Sequence, residues 1–221
     1  AGNEITNASA DSNCTVDTTA PLIKEDGEGA EIITVLSNND DDADGSNLAI
    51  KDDVVTLTFT ASEELHGTAD HNTVIFTVGD GAARTAVSLT ATENDNEYTA
   101  SMSAVVADEN GVVSYVIKMT DLAGNETTTA SADSNCLVDT TDPSVTADTL
   151  TVVSNNDDDA DDVNLAIEDD VVTLTFTASE ELHGTADHNT VVFTVGDGDA
   201  KTAVDLVKTT AADDGHTYEA S

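Results

Sequence analysis

Val54-Val-Thr-Leu-Thr-Phe-Thr-Ala61 alternates apolar and hydroxyl-bearing side chains from Val55 onward. A period of two in β-branched and aromatic residues is the signature of a half-buried strand. Val55, Leu57, Phe59 and Ala61 share the inward phase, and Val54, Thr56, Thr58 and Thr60 the outward one. The same eight letters return as Val171–Ala178, again preceded by Asp-Asp and followed by Ser-Glu-Glu-Leu-His.

The repetition extends well beyond this strand. Ser37-Asn-Asn-Asp-Asp-Asp-Ala-Asp44 and Asn47-Leu-Ala-Ile50 return 117 positions later, from Ser154 and from Asn164. Ser12-Asn-Cys-Thr-Val-Asp-Thr-Thr-Ala-Pro21 is echoed 122 positions later by Ser134-Asn-Cys-Leu-Val-Asp-Thr-Thr-Asp-Pro143, so one indel lies between Pro21 and Ser37. A module of about 120 residues therefore occurs in tandem. Ala1-Gly-Asn-Glu4 matches Ala123-Gly-Asn-Glu126, and Tyr218-Glu-Ala-Ser221 matches Tyr98-Thr-Ala-Ser101. The expected division is residues 1–15 as the last strand of a preceding module, 16–137 as a complete module, and 138–221 as a second module without its last two strands. That reads as a window on a longer array. The rival is a subunit whose ends are completed by neighbouring subunits.

Six basic residues face 45 acidic ones, for a formal charge of −39. Phosphate would be repelled, which argues against nucleic acid, and anionic membrane surfaces are disfavoured for the same reason. Self-repulsion at this density opposes compaction unless salt or bound cations screen it. The regular alternation of apolar residues nevertheless favours a folded chain over a disordered one. No apolar run is long enough to span a bilayer, and the first residues show neither the basic nor the apolar region of a signal peptide.

Strand patterns continue through Ile32–Leu36, Val74–Val78, Ala86–Leu89, Tyr98–Met102, Val113–Met119 and the threonine-rich stretch from Glu126 to Ser134, with turns at Gly79–Gly81, Asp108–Gly111 and Asp121–Asn125. About seven strands at spacings of roughly 8–12 residues predict an all-β sandwich module. Phe59, Phe76, Tyr115 and Ile117 share the inward phase and form the expected core.

Val16-Asp-Thr-Thr-Ala-Pro21, Val55-Thr-Leu-Thr-Phe-Thr-Ala-Ser-Glu63 and Thr120-Asp-Leu-Ala-Gly-Asn125, in this order and in tandem, resemble bacterial immunoglobulin-like (Big-type) domains. Those are extender modules of large secreted adhesins and other surface proteins. The resemblance implies tandem immunoglobulin-like β-sandwiches, an extracellular location at the cell surface and a mechanical role in cell adhesion. The acidic insert after Ser37 is richer in aspartate than that family commonly shows.

Asp40-Asp-Asp-Ala-Asp44-Gly45 has the alternate-acid spacing of a calcium loop. An EF-hand also requires a bidentate acid at its twelfth position. The first copy has Lys51 there; the second has Glu168 but carries Asp162 in place of the glycine. An irregular calcium loop survives, beside the plainer reading of a solvated acidic loop. In the resembled fold, Asp40, Asp42 and Asp44, with Asp108 and Glu109, would meet the next module's entrance at Asp139, Asp142, Glu180 and Glu181. Asp157, Asp159 and Asp161 repeat the loop, and Asp17, Glu63, Glu64, Asp121 and Asn125 form the first module's entrance. Carboxylates gathered at a junction repel unless a cation bridges them, and calcium, with six to eight oxygen ligands, fits best.

His66-Gly-Thr-Ala-Asp-His71 and its copy His183–His188 offer imidazoles for a transition metal, but the spacing matches no helical metal motif and reads as a polar loop. Cys14 and Cys136 occupy equivalent places, a whole folded unit apart, which rules out a bridge between them within one extended chain. Each is either a small apolar thiol near a strand end or a bridge to a neighbouring chain. No nucleophile motif is present, so no enzyme is expected. The expected function is a stalk repeat stiffened by calcium, with neighbouring modules as partners. The alternatives are a self-assembling fibre or sheath subunit, a homopolymer joined by strand exchange, and a carbohydrate- or surface-binding module.

Overall fold

A computed structural model describes residues 15–40, 45–131, 134–156, 164–184, 188–209 and 216–221. These are built from strands, with no helix among the described residues. They fall into two compact units, one formed by residues 15–39 and 47–140, the other beginning at Thr141.

The first unit contains β1 (Ile33–Ser37), β2 (Leu48–Ala49), β3 (Val55–Thr60), β4 (Thr73–Val78) and β5 (Val87–Ser88). It continues through β6 (Thr90–Ala91), β7 (Glu97–Ser101), β8 (Gly111–Thr120), β9 (Glu126–Ser131) and β10 (Leu137–Val138). One sheet has the order β1-β3-β7-β6; the other runs β2-β10-β8-β4-β5, with β9 also on β8. Both contribute to one core, in which Val55, Leu57 and Phe59 from the first sheet join Val74, Phe76, Val113, Ile117 and Met119 from the second. Two sheets around a shared apolar interior are compatible with a β-sandwich. Phe59, Phe76, Tyr115 and Ile117 are all buried, while the threonines alternating with them in β3 are half-exposed. Within the core the Phe59 and Tyr98 rings lie 6.0 Å apart, and the Tyr98 hydroxyl accepts the Leu65 N–H at 2.8 Å, so the buried phenol keeps a polar partner.

Two strands differ from their sequence reading. Ala86–Leu89 is strand only at its centre, and the chain just beyond it joins the opposite sheet. Its Val87 and Ser88 pair with β4, whereas Thr90 and Ala91 pair with β7 in the opposite sheet. The chain changes sheets at Leu89, whose N–H is held by Asn72 O at 2.9 Å. The threonine-rich last strand likewise does not finish near Ser134. After β9 it resumes as β10, which pairs antiparallel with the start of β8 and parallel with β2. Alternation reports which face a residue occupies, not which sheet it joins, so the crossover at Leu89 does not show in the pattern, whereas β9 and β10 both stay on β8.

At one end of β8, Gly79 and Gly111 pack backbone against backbone. Both have positive φ, 50° and 121°. A Cβ on Gly79 would come within 2.4 Å of Asn110 O, so side chains are excluded there.

The second unit repeats the first sheet as β11 (Thr151–Ser154), β12 (Val172–Thr177), β15 (Val207–Lys208) and β16 (Thr217–Ala220), in the order β11-β12-β16-β15. Its other sheet contains only β13 (Thr190–Val191) and β14 (Val204–Asp205) among the described residues. Phe176 and Tyr218 stack as Phe59 and Tyr98 do, at 6.0 Å, with Leu174, Leu182 and Leu206 packed against them.

Candidate metal centre

Three segments bring carboxylates together in the first unit. Asp17 belongs to the lead-in, where its Oδ1 accepts the Thr19 N–H at 3.0 Å in an Asx turn. The lead-in is pinned to the end of β3 by Leu22 N–H to Ser62 Oγ at 3.0 Å, Ser62 N–H to Leu22 O at 2.8 Å, and the Ile23–Ala61 bridge. Glu63 follows directly. Asp121 stands just after β8, bridged to Leu65. Oxygens of Asp17, Glu63 and Asp121 all lie within 4.8 Å of one another, and no other group of three or more acidic, histidine or cysteine ligands occurs among the described residues.

The three differ electrostatically. Asp121 is fully buried, which opposes its charge. That penalty is outweighed: Asn125 donates its side-chain amide at 2.8 Å and its N–H at 2.8 Å, and Gly124 donates its N–H at 2.7 Å, leaving the carboxyl below its usual range. Glu63 shifts the other way. Burial raises its carboxyl above the ordinary value, and the charges of Asp17 and Asp121 raise it further. Asp17 is exposed. A hard, all-oxygen donor set with this spacing suits calcium, whose ligand distances of about 2.3–2.6 Å put oxygens on opposite sides of one ion nearly 5 Å apart.

The remaining expected ligands that are described do not join this group. Asp40 is exposed at the stem of its loop, while Asp42, Asp44, Asp157, Asp159 and Asp161 lie outside the described residues, as does Cys14. Asparagines hold the stem. Asn47 accepts the Ser37 N–H at 2.9 Å and donates to Val35 O at 2.7 Å, and Asn38 accepts the Val54 N–H at 2.7 Å. Asn164 and Asn155 repeat the accepting bonds with Ser154 and Val171, both at 2.8 Å. Asn38 and Asn47, repeated as Asn155 and Asn164, thus staple the loop stem.

Asp108 is exposed with φ 67° in the turn before β8. Beside it, Glu109 pairs with Arg84 and accepts the Val106 N–H at 3.0 Å, so this carboxylate is already neutralised within the unit. Asp139 follows β10, its N–H bonded to Ala49 O at 2.9 Å, and Thr140 donates its hydroxyl to Glu109 O at 3.0 Å. Asp142 is exposed in the second unit's lead-in; Glu180 is half-buried after β12, at the place that Glu63 holds in the first unit. There Ser144 and Ser179 reproduce the Leu22–Ser62 pairing at 3.0 and 2.8 Å.

His66 and His71 stack with ring centroids 4.2 Å apart, and His183 and His188 lie 4.3 Å apart. His66 Nδ1 accepts the Thr68 N–H at 3.2 Å. The loop is fixed through its backbone: Asn72 donates to His66 O at 2.6 Å and accepts the Thr120 N–H at 2.7 Å, and the Thr120 hydroxyl donates to His71 O at 3.0 Å. Cys136 is fully buried between β9 and β10, and burial pushes its thiol up to about 11. Such a thiol packs as an apolar side chain, and a bridge to another chain would require β10 to detach.

No family model matches the chain, and no curated protein matches it.

Proposed function

We propose that the chain is a structural extender, a tandem of immunoglobulin-like sandwiches in an extracellular surface protein, stiffened by calcium. The carrying observation is the convergence of Asp17, Glu63 and Asp121 from the lead-in, the end of β3 and the end of β8. A cation there ties the entering chain to both sheets of the unit it enters, which is how a linker becomes a rod. The sheet orders β1-β3-β7-β6 and β2-β10-β8-β4-β5, with β2 and the last strand, β10, paired in parallel, support the immunoglobulin-like reading. A non-enzymatic role suits a unit repeated end to end. Six of the seven aromatic side chains are buried and Phe193 is half-buried, which disfavours a sugar-stacking surface. The small second sheet of the second unit favours, as the second reading, a fibre subunit completed by strand exchange.

Small-angle scattering and thermal melting at fixed ionic strength test the proposal. Calcium should give a longer, stiffer particle with a higher melting temperature than chelator does. Magnesium should substitute poorly, because it demands a tighter octahedron. Unchanged shape and melting on chelation would reduce the acidic cluster to solvation.

A further inference from the structure

Thr190-Val-Val-Phe-Thr-Val195 repeats Thr73-Val-Ile-Phe-Thr-Val78 with a single Val-for-Ile change. In the first unit all six residues are strand, each paired with β8 from Thr73–Lys118 to Val78–Val113. In the second, only Thr190 and Val191 are strand, paired with β14 as β4 is paired with β5. Burial follows the same division. Val78 is 5% exposed and its counterpart Val195 is 74% exposed; Phe76 is fully buried and Phe193 only half-buried. Leu57 is inaccessible, whereas Leu174, its equivalent in β12, is half-buried. Leu165 and Ile167 are exposed as well. A hydrogen bond is missing at the same place. Asn189 donates to His183 O at 2.6 Å, as Asn72 does to His66 O, but among the described residues nothing donates to its Oδ1, the atom that in Asn72 receives the β8 backbone.

We infer that the free edge of Thr190–Val195, with the apolar face beside it, is a docking site for a strand–turn–strand segment of the repeat's own type, equivalent to residues 111–138. The incoming strand lies antiparallel, with its Lys118 equivalent opposite Thr190 and its Val113 equivalent opposite Val195. Its inward residues follow Val113, Tyr115, Ile117 and Met119. The occupant is additional repeat sequence and not the β8 of a second copy, because Val113, Ile117 and Met119 are already fully buried in their own unit. An exposed edge flanked by apolar side chains is a template for strand addition, and the first unit shows which partner the same letters accept. The inference does not depend on calcium.

The test appends the sequence of residues 102–140 after Ser221 of the full chain and follows amide hydrogen exchange across residues 190–195 in chelator. Docking should slow exchange there by at least about tenfold, since a paired core strand opens only in larger unfolding events. It should also abolish binding of a dye specific for exposed apolar surface. Unchanged exchange in a soluble fusion overturns the inference. So does equal protection by an appended segment carrying Y115D and I117D. A fusion that fails to fold is replaced by a peptide of residues 108–140 added to the unmodified full chain, in which lack of binding at 190–195 overturns the inference. Protection of 190–195 in the unmodified chain, coupled to dimer formation, assigns the face to a second copy and also overturns it. Loss of the calcium response alone, with protection intact, would sink the metal proposal and leave this one standing.

Discussion

Glu63 ionises against the fold. Burial and the charges of Asp17 and Asp121 place its folded value above that of the unfolded chain. Below the ordinary carboxylate value the proton is held in both states and nothing is lost. As pH rises through the folded value, the native unit must ionise a group that the unfolded chain ionises freely, so this term lowers stability at neutral pH. A bound cation reverses it. Glu63→Gln should therefore melt higher than the parent in chelator at pH 7, match it near pH 4, and gain little from calcium. Thermal melts in those conditions decide the matter, and parallel behaviour of parent and variant throughout would mark the cluster as inert. Asp121 has the opposite sign, since its hydrogen bonds contribute above the ordinary value and are lost as pH falls through the lowered one. The core makes a plainer prediction. Phe59→Ala should cost about 3–5 kcal/mol in chemical denaturation, as for a buried aromatic. Thr58→Ala, on the outer face, should cost about 0.5 kcal/mol. Equal losses would mean that the strand phase is wrong. That phase was legible in the sequence because a half-buried strand must alternate. The grouping of Asp17, Glu63 and Asp121 was expected only from the topology of the resembled fold, since the three are far apart in the sequence. The pairing of Glu109 with Arg84 was not, because the two are brought together only by the return of the chain.

Among the elements, asparagines clamp the stem of the acidic loop. Asn47 has φ 59°, a left-handed conformation that asparagine tolerates and alanine does not. Asn47→Gly keeps that conformation and removes only the hydrogen bonds to Ser37, Val35 and Asn135. It should cost about 1 kcal/mol, since the bonds removed are partly buried or exposed. Asn47→Ala should cost more than Asn47→Gly, through backbone strain. A denaturation series on the two variants and the parent separates these contributions; equal stability of Asn47→Ala and Asn47→Gly would remove the conformational one. The repeat flagged these asparagines without explaining them, because their partners are backbone groups about ten or more residues away. The change of sheet between Val87–Ser88 and Thr90–Ala91 was hidden for a related reason: both destinations accept the same short apolar–polar pattern.

At the scale of the whole molecule, internal ion pairs cannot balance the charge. Lys51, Arg84, Lys118 and Lys208 are paired with carboxylates of the chain itself, four of only six basic residues against 45 acidic ones. External cations must carry the rest of the screening.

The parallel pairing of β2 with β10 has a further consequence under tension. β2 follows the lead-in and β1, and β10 closes the first unit; the two are joined by Leu137 N–H to Asn47 O at 3.2 Å and Asp139 N–H to Ala49 O at 2.9 Å. Once the lead-in and β1 have come off β3, pulling on the two ends draws β2 toward its own N-terminus and β10 toward its own C-terminus. Because the strands run in the same direction, these forces are opposed along a common axis, and the bonds are loaded together in shear. An antiparallel pair pulled in this way would peel apart one bond at a time. Single-molecule stretching should accordingly show a discrete rupture for this unit. Leu137→Pro cannot donate to Asn47 O and should lower the rupture force, while unfolding at an unchanged force would place the resistance elsewhere. In such a unit the strength against pulling would reside in a patch of two residues per strand, far smaller than the core that sets its melting temperature.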